Sequence, residues 1–185
     1  MQSGLLAFWG LALVSLVQAQ AQVPVQADFQ QGQFLGRWFS VGFASNSRWF
    51  QEKKSSMKMC STEVTPTSDG DLEVISTYPK GDKCETRKSL FVRTEEPGRF
   101  SYTSSYSGTT SDVRVVETNY HEYALLFAQK VKDGQTSTWV TLYGRSKELR
   151  PELLEKFTRL ALEQGLTREN ILLLPRTDLC IQDSV

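Results

Sequence analysis

Between Arg37 and Gly144 the chain reads as short strand-like segments cut by turn-forming residues, with no helical stretch among them. Strand-like segments span 37–44, 57–65, 71–78, 85–93, 99–105, 110–118, 123–130 and 136–144, and 110–118 gives no clear alternation. Pro66 to Gly70, Pro79 to Gly81, Glu95 to Gly98 and Asp133-Gly134 supply the turns. Eight short strands joined this way predict an all-β fold, an antiparallel up-and-down sheet closed on itself. Beyond it, Pro151 suits the first turn of a helix and Gly165 its end. The helical stripe Leu153, Leu154, Phe157, Leu160 and Ala161 is one-sided, so the helix should lie against the outside of the sheet. A last short strand is expected at 171–174 and a loop at 45–54, where Trp49 and Phe50 could form a lid over one end.

The 185 residues suffice for one domain with a real core. Lys+Arg and Asp+Glu both number 21, so the net charge is zero, and no basic stripe marks a nucleic-acid partner. Residues 1–19 carry no charge and contain the apolar run 5–17, followed by small residues. That reads as a secretory signal peptide lacking its usual basic start, and it is short for a membrane span. The expectation is a secreted monomer, routed through the endoplasmic reticulum and Golgi, with one domain over 20–185. Three cysteines in a secreted chain leave one over, and spacing alone does not decide the pairing. In an oxidising compartment an idle exposed thiol is selected against, so the odd one is either buried or used. One histidine, His121, and scattered cysteines offer no metal site.

Three motifs narrow the fold. Gly36-Arg37-Trp38 opens the first strand, Thr118-Asn119-Tyr120 occupies a turn, and Arg145 follows the last strand of the series. In this order and spacing they resemble the lipocalin family. The resemblance implies an eight-stranded barrel in which Trp38 plugs the closed end and Arg145 packs across it, a cation–π contact. It also favours a Cys84–Cys180 disulfide, leaving Cys60 as the free thiol.

With Trp38 inward, strand alternation places Ser40 and Gly42 inward and Phe39 and Val41 outward. Lys58, Cys60, Thr62 and Val64 share a face, as do Leu72, Val74, Ser76 and Tyr78. Phe100, Tyr102, Ser104 and Tyr106 form a third such set, and Trp139, Thr141 and Tyr143 a fourth. A barrel of this size holds one small ligand. Apolar and aromatic walls with a few hydroxyls suit a long lipophile with a polar head. Trp49, Tyr78, Tyr106, Trp139 and Tyr143 are the candidate contacts, and Lys53, Lys54 and Lys58 could meet a carboxylate at the mouth.

Further segments, among them Met59-Cys60, Lys83-Cys84-Glu85-Thr86-Arg87 and Val115-Val116-Glu117-Thr118, resemble the prostaglandin D synthase branch of that family. This implies an isomerase that converts prostaglandin H2 to prostaglandin D2 and also binds retinoids. Cys60 would be the nucleophile, with supporting hydroxyls from Ser40, Thr62 and Ser76, and Tyr143 as a pocket tyrosine. No bound cofactor is implied, but an external thiol such as glutathione would assist. The chain departs from mammalian members at Tyr106-Ser107 and has no Asn-x-Ser/Thr sequon. The competing expectation is a non-enzymatic extracellular carrier of retinoids, bile pigments or other lipophiles.

Overall fold

The computed structural model describes residues 22–181; the expected signal segment 1–19 lies outside the described residues. Eight antiparallel strands close into a barrel: β1 (Gly36–Ser45), β2 (Ser61–Pro66), β3 (Leu72–Lys80), β4 (Lys83–Arg93), β5 (Arg99–Thr103), β6 (Thr110–Thr118), β7 (Tyr123–Lys132) and β8 (Gln135–Gly144). They pair in sequence order, and β1 joins both β8 and β2 to complete the circle. A ninth strand, β9 (Ile171–Leu173), adds to the second half of β1. Three helices accompany them: α1 (Gln31–Phe34) just before β1, α2 (Arg48–Lys53) after it, and α3 (Pro151–Glu163) near the C-terminus. Among the described residues no helix is long and apolar enough to cross a membrane.

Two shells of apolar side chains follow from the alternation of strand faces. Inside the barrel lie Trp38, Val64, Leu72, Val74, Phe100, Val113, Val115, Ala124 and Leu126. Outside, Phe39, Leu125, Phe127, Val140 and Leu142 pack against Leu153, Phe157, Leu160 and Ala161 of α3. The helix is thus pressed onto the outer wall by the stripe that the sequence displays. Lys156 of α3 and the Tyr123 hydroxyl both bond Glu117, which fastens the helix further.

One expectation fails at Gly42. Strict alternation puts it inside, but a bulge between Ser40 and Gly42 shifts the register. Ser40 pairs with inward Tyr143, and Gly42 then pairs with outward Leu142. An extra residue in one strand reverses every face beyond it. Gly42 therefore lies under α3, where an added Cβ would sit 2.7 Å from the Phe157 ring. A second bulge, between Val115 and Glu117, explains why 110–118 shows no clear alternation.

The ends of the barrel differ. At one end Trp38 is wholly buried, its indole Nε1 donating to Phe34 O at 2.8 Å. The Arg145 guanidinium lies over the indole, 3.6 Å from its centroid. Its nitrogens donate to the carbonyls of Tyr120, Arg37, Gln33 and Leu35 at 2.7–3.1 Å. Gly36 has φ +92°, a left-handed conformation that glycine adopts freely. Asn119 Oδ1 accepts from the backbone of Glu122 and Tyr123, shaping the turn that presents the Tyr120 carbonyl. The three motifs thus meet in one plug. Toward the other end, inward-facing Ser76, Tyr78, Phe91, Tyr102, Trp139 and Tyr143 all keep partial exposure. The barrel is filled at the Trp38 end and hollow toward the other.

The Cys84–Cys180 disulfide is present, with Cα atoms 5.4 Å apart, and ties the C-terminal tail to β4 across a separation of 96 residues. Closing a loop of that size stabilises the fold by roughly 4–5 kcal/mol in the chain-entropy account. The β1–β2 ladder is short, covering only Gly36 to Phe39 on β1, and the tail bonds to the chain just before β2 through Met59 N and Pro175 O.

The packing under α3 sets a stability test. Gly42→Ala should destabilise the protein by about 1–3 kcal/mol, the usual cost of overpacking. The check is a lower denaturant midpoint at unchanged slope; an unaltered midpoint would contradict the outward placement of residue 42.

Candidate functional site

The residues around Cys60 are brought together by four neighbouring strands, β8, β1, β2 and β3. The strand predicted at 57–65 begins only at Ser61, so Cys60 stands just ahead of β2. The β1–β2 register nevertheless continues through it, because Ser40 N donates to Cys60 O at 3.0 Å. Trp38 pairs with Thr62, and Thr62 with Ser76 on β3. Ser40 pairs with Tyr143 on β8. Cys60, Ser40, Thr62, Ser76 and Tyr143 therefore share one inner wall, directly above the indole floor.

Cys60 is the free cysteine among the described residues and is partly buried. Its Sγ lies 2.9 Å from Ser40 Oγ. The same hydroxyl accepts from Cys60 N at 2.9 Å and can donate to Cys60 O at 3.3 Å. Ser40 is thus held by the backbone of the residue whose sulfur it touches. A neutral thiol can donate to Ser40 Oγ; a thiolate can accept the Ser40 proton. The arrangement serves both protonation states without moving a heavy atom.

Burial pushes the Cys60 thiol above its usual pKa, and hydrogen bonds from Ser40 and Thr62 pull in the opposite direction without cancelling it. Thr62 and Ser76 hydroxyls lie 2.9 Å apart. Burial likewise raises Tyr143, with the Cys60 charge adding to the effect and a Thr62 hydrogen bond opposing it. At neutral pH this tyrosine is a neutral hydrogen-bond donor beside the sulfur.

The other expected contacts are dispersed. Trp139 and Tyr143 face the hollow on β8, with Trp139 opposite Ser45 of β1. Tyr78 also faces inward, and its hydroxyl donates to Glu85 at 3.1 Å while Lys80 pairs with the same carboxylate at 2.8 Å. Tyr106 does not line the interior. The strand predicted to 105 ends at Thr103, so alternation no longer applies, and Tyr106 is 96% exposed in the turn beyond. The loop predicted at 45–54 contains α2, a helix too short for periodicity to reveal; Ser47 Oγ caps it by accepting from Phe50 N. Within it Phe50 is fully buried against Phe43, whereas Trp49 is 54% exposed. Lys54 points away from the hollow and donates to Glu169 O at 3.0 Å. Lys53 and Lys58 are exposed. Among the described residues no cluster of His, Cys, Asp and Glu could hold a metal.

Ser40→Ala removes a group that favours the thiolate, so the apparent pKa of Cys60 should rise further. A pH profile of iodoacetamide alkylation would then shift to higher pH, with a slower rate at pH 8; a shift to lower pH would refute the assigned role of Ser40.

Comparison with known proteins agrees with this geometry. The sequence profile of the Lipocalin / cytosolic fatty-acid binding protein family matches residues 35–178. A protein named Lipocalin from Rhinella marina is 48% identical over 180 residues, covering 97% of this chain and 98% of its own. Proteins named Prostaglandin-H2 D-isomerase from Canis lupus familiaris and Mus musculus are 47% and 46% identical, each covering at least 94% of this chain and 95% of its own. Among solved structures, the siderocalin Ex-FABP, described as functioning through dual ligand specificities, superposes with a TM-score of 0.67 at 33% identity. It covers 78% of this chain and 95% of its own. With its indole plug, closed eight-stranded barrel and external helix, the chain belongs to the lipocalin family.

Proposed function

We propose that this lipocalin isomerises prostaglandin H2 to prostaglandin D2 at Cys60 and also binds lipophilic ligands in the same hollow, retinoids among them. The observation that carries the reading is the reduced sulfur held 2.9 Å from Ser40 Oγ on the inner wall, with Thr62 and Tyr143 beside it. Support comes from the full-length likeness to proteins named for that reaction.

The chemistry balances within the substrate. The Cys60 thiolate attacks the endoperoxide oxygen that becomes the ketone, forming an S–O bond as the O–O bond breaks. The displaced oxygen takes the electron pair and a proton and becomes the hydroxyl. Loss of the proton from the carbon bearing the sulfur-bound oxygen then makes C=O, and the S–O electrons return to sulfur. The thiolate is regenerated, and no net oxidation occurs. In this reading neutral Tyr143 and the Thr62–Ser76 pair donate toward developing oxyanions. An external thiol such as glutathione assists in this reading without being consumed. Secretion is part of the same proposal, supported by the signal-like segment and the disulfide.

A carrier without catalysis is the second reading. It is favoured by the burial that holds Cys60 mostly protonated. The two separate cleanly. Wild-type protein incubated with prostaglandin H2 and glutathione should yield prostaglandin D2, and Cys60→Ala should lose at least about 100-fold in rate, as expected when a covalent nucleophile is removed. Retinoid binding, followed by tryptophan quenching, should persist in both. Equal product from the two proteins leaves the carrier.

A further inference from the structure

The wall opposite Cys60 carries a second set of polar groups that the isomerase reading does not use. In the closed ring of eight strands, β6 lies four strands from β2 in either direction. The register places Ser111 of β6 on the inner face, opposite inward Tyr102. On β7 the inner set Ala124, Leu126 and Ala128 continues to Lys130, which pairs with inward Ser137 of β8. On β4, Arg87 pairs with inward Ser76, and its guanidinium donates to the Tyr102 hydroxyl at 3.2 Å. Arg87, Tyr102, Ser111, Lys130 and Ser137 thus form an arc across five adjacent strands.

Two features mark this arc as built to receive something. Ser111 is 97% buried, yet its hydroxyl has no hydrogen-bond partner among the described residues. Among the described residues no fully enclosed polar side-chain atom lacks a partner, so this oxygen keeps some exposure, and the register aims it inward. A buried hydroxyl without a partner is costly unless a ligand or water completes it. Neither Lys130 nor Arg87 is paired with a carboxylate among the described residues. Glu85, on the same face of β4 two residues from Arg87, is already held by Lys80 and Tyr78. The arc therefore presents two unneutralised cations and three hydroxyls, while the basic residues expected to do this work, Lys53, Lys54 and Lys58, lie outside it.

We propose that this arc receives the carboxylate of an elongated lipid acid, so that the chain of the ligand crosses the hollow toward Cys60. Lys130 and Arg87 supply the charge, and the Tyr102 and Ser111 hydroxyls supply directed hydrogen bonds. For prostaglandin H2 the arrangement fixes which of the two endoperoxide oxygens faces the thiol. The inference rests on the barrel being a lipid container, and not on the thiol chemistry.

The test compares oleic acid with oleyl alcohol, which share a chain and differ in charge. Binding is read by tryptophan fluorescence at pH 8 in wild type, Arg87→Met, Lys130→Met and the outward control Lys88→Met. Each arc substitution should weaken oleate roughly tenfold and oleyl alcohol by less than about twofold, the size of one charge-assisted hydrogen bond. Lys88→Met should leave both unchanged. Wild type that binds acid and alcohol equally, or arc variants that weaken both alike, overturn the proposal. Wild type that binds neither overturns the container reading beneath it. Retained oleate selectivity with lost isomerisation in Cys60→Ala separates this arc from the catalytic reading.

Discussion

The contact between Arg145 and Trp38 is what the rest of the molecule depends on. A guanidinium stacked on an indole gains from the ring quadrupole, and four backbone carbonyls satisfy its donors where no carboxylate does. Those carbonyls come from the entry to β1 and from the turn between β6 and β7. One side chain thus fastens the first strand to a turn more than 80 residues away in the chain. The closed floor so formed leaves the opposite end free to stay hollow, which is the precondition for any ligand.

Two bulges then divide the work of the wall. The bulge after Ser40 leaves Trp38 and Ser40 facing in while turning Gly42 to the outer surface. The same strand consequently presents the hydroxyl that touches the thiol and the flat patch that admits Phe157. The second bulge sets Glu117 on the outer side, within reach of Lys156 and Tyr123. Both irregularities thus serve the helix dock, while the site keeps the plain alternation that precedes the first of them. That is how a sheet of uniform pitch serves two partners.

Much of this was readable from residues. Turn-formers separated most of the eight barrel strands, though not the start of β2 or the end of β5, and the stripe from Leu153 to Ala161 announced the helix and its buried side. The Gly-x-Trp, Thr-Asn-Tyr and Arg pieces identified the plug. Gly42 was misplaced because a bulge is decided by pairing with β8, which a single strand does not display. Tyr106 was misplaced because its strand stops at Thr103, two residues earlier than expected. The helix α2 is six residues long, below what periodicity resolves, so Phe50 rather than Trp49 emerged as its buried anchor. The basic groups of the inner wall escaped notice for a related reason: Arg87 and Lys130 look like ordinary solvated cations until neighbouring strands reveal which way they face.

The disulfide has a consequence for the mouth. Because β9 occupies the upper half of β1, the seam between β1 and β2 is zipped only near the floor, and Cys60 stands where the zipper ends. From β9 the tail passes the chain ahead of β2, bonding at Met59, and is anchored on β4 by Cys180. It works as a hoop around a split stave. Cutting the hoop with a reductant would leave the fold's floor intact but let the lip beside the thiol gape, so the sulfur's setting depends on a covalent link made far from it in sequence.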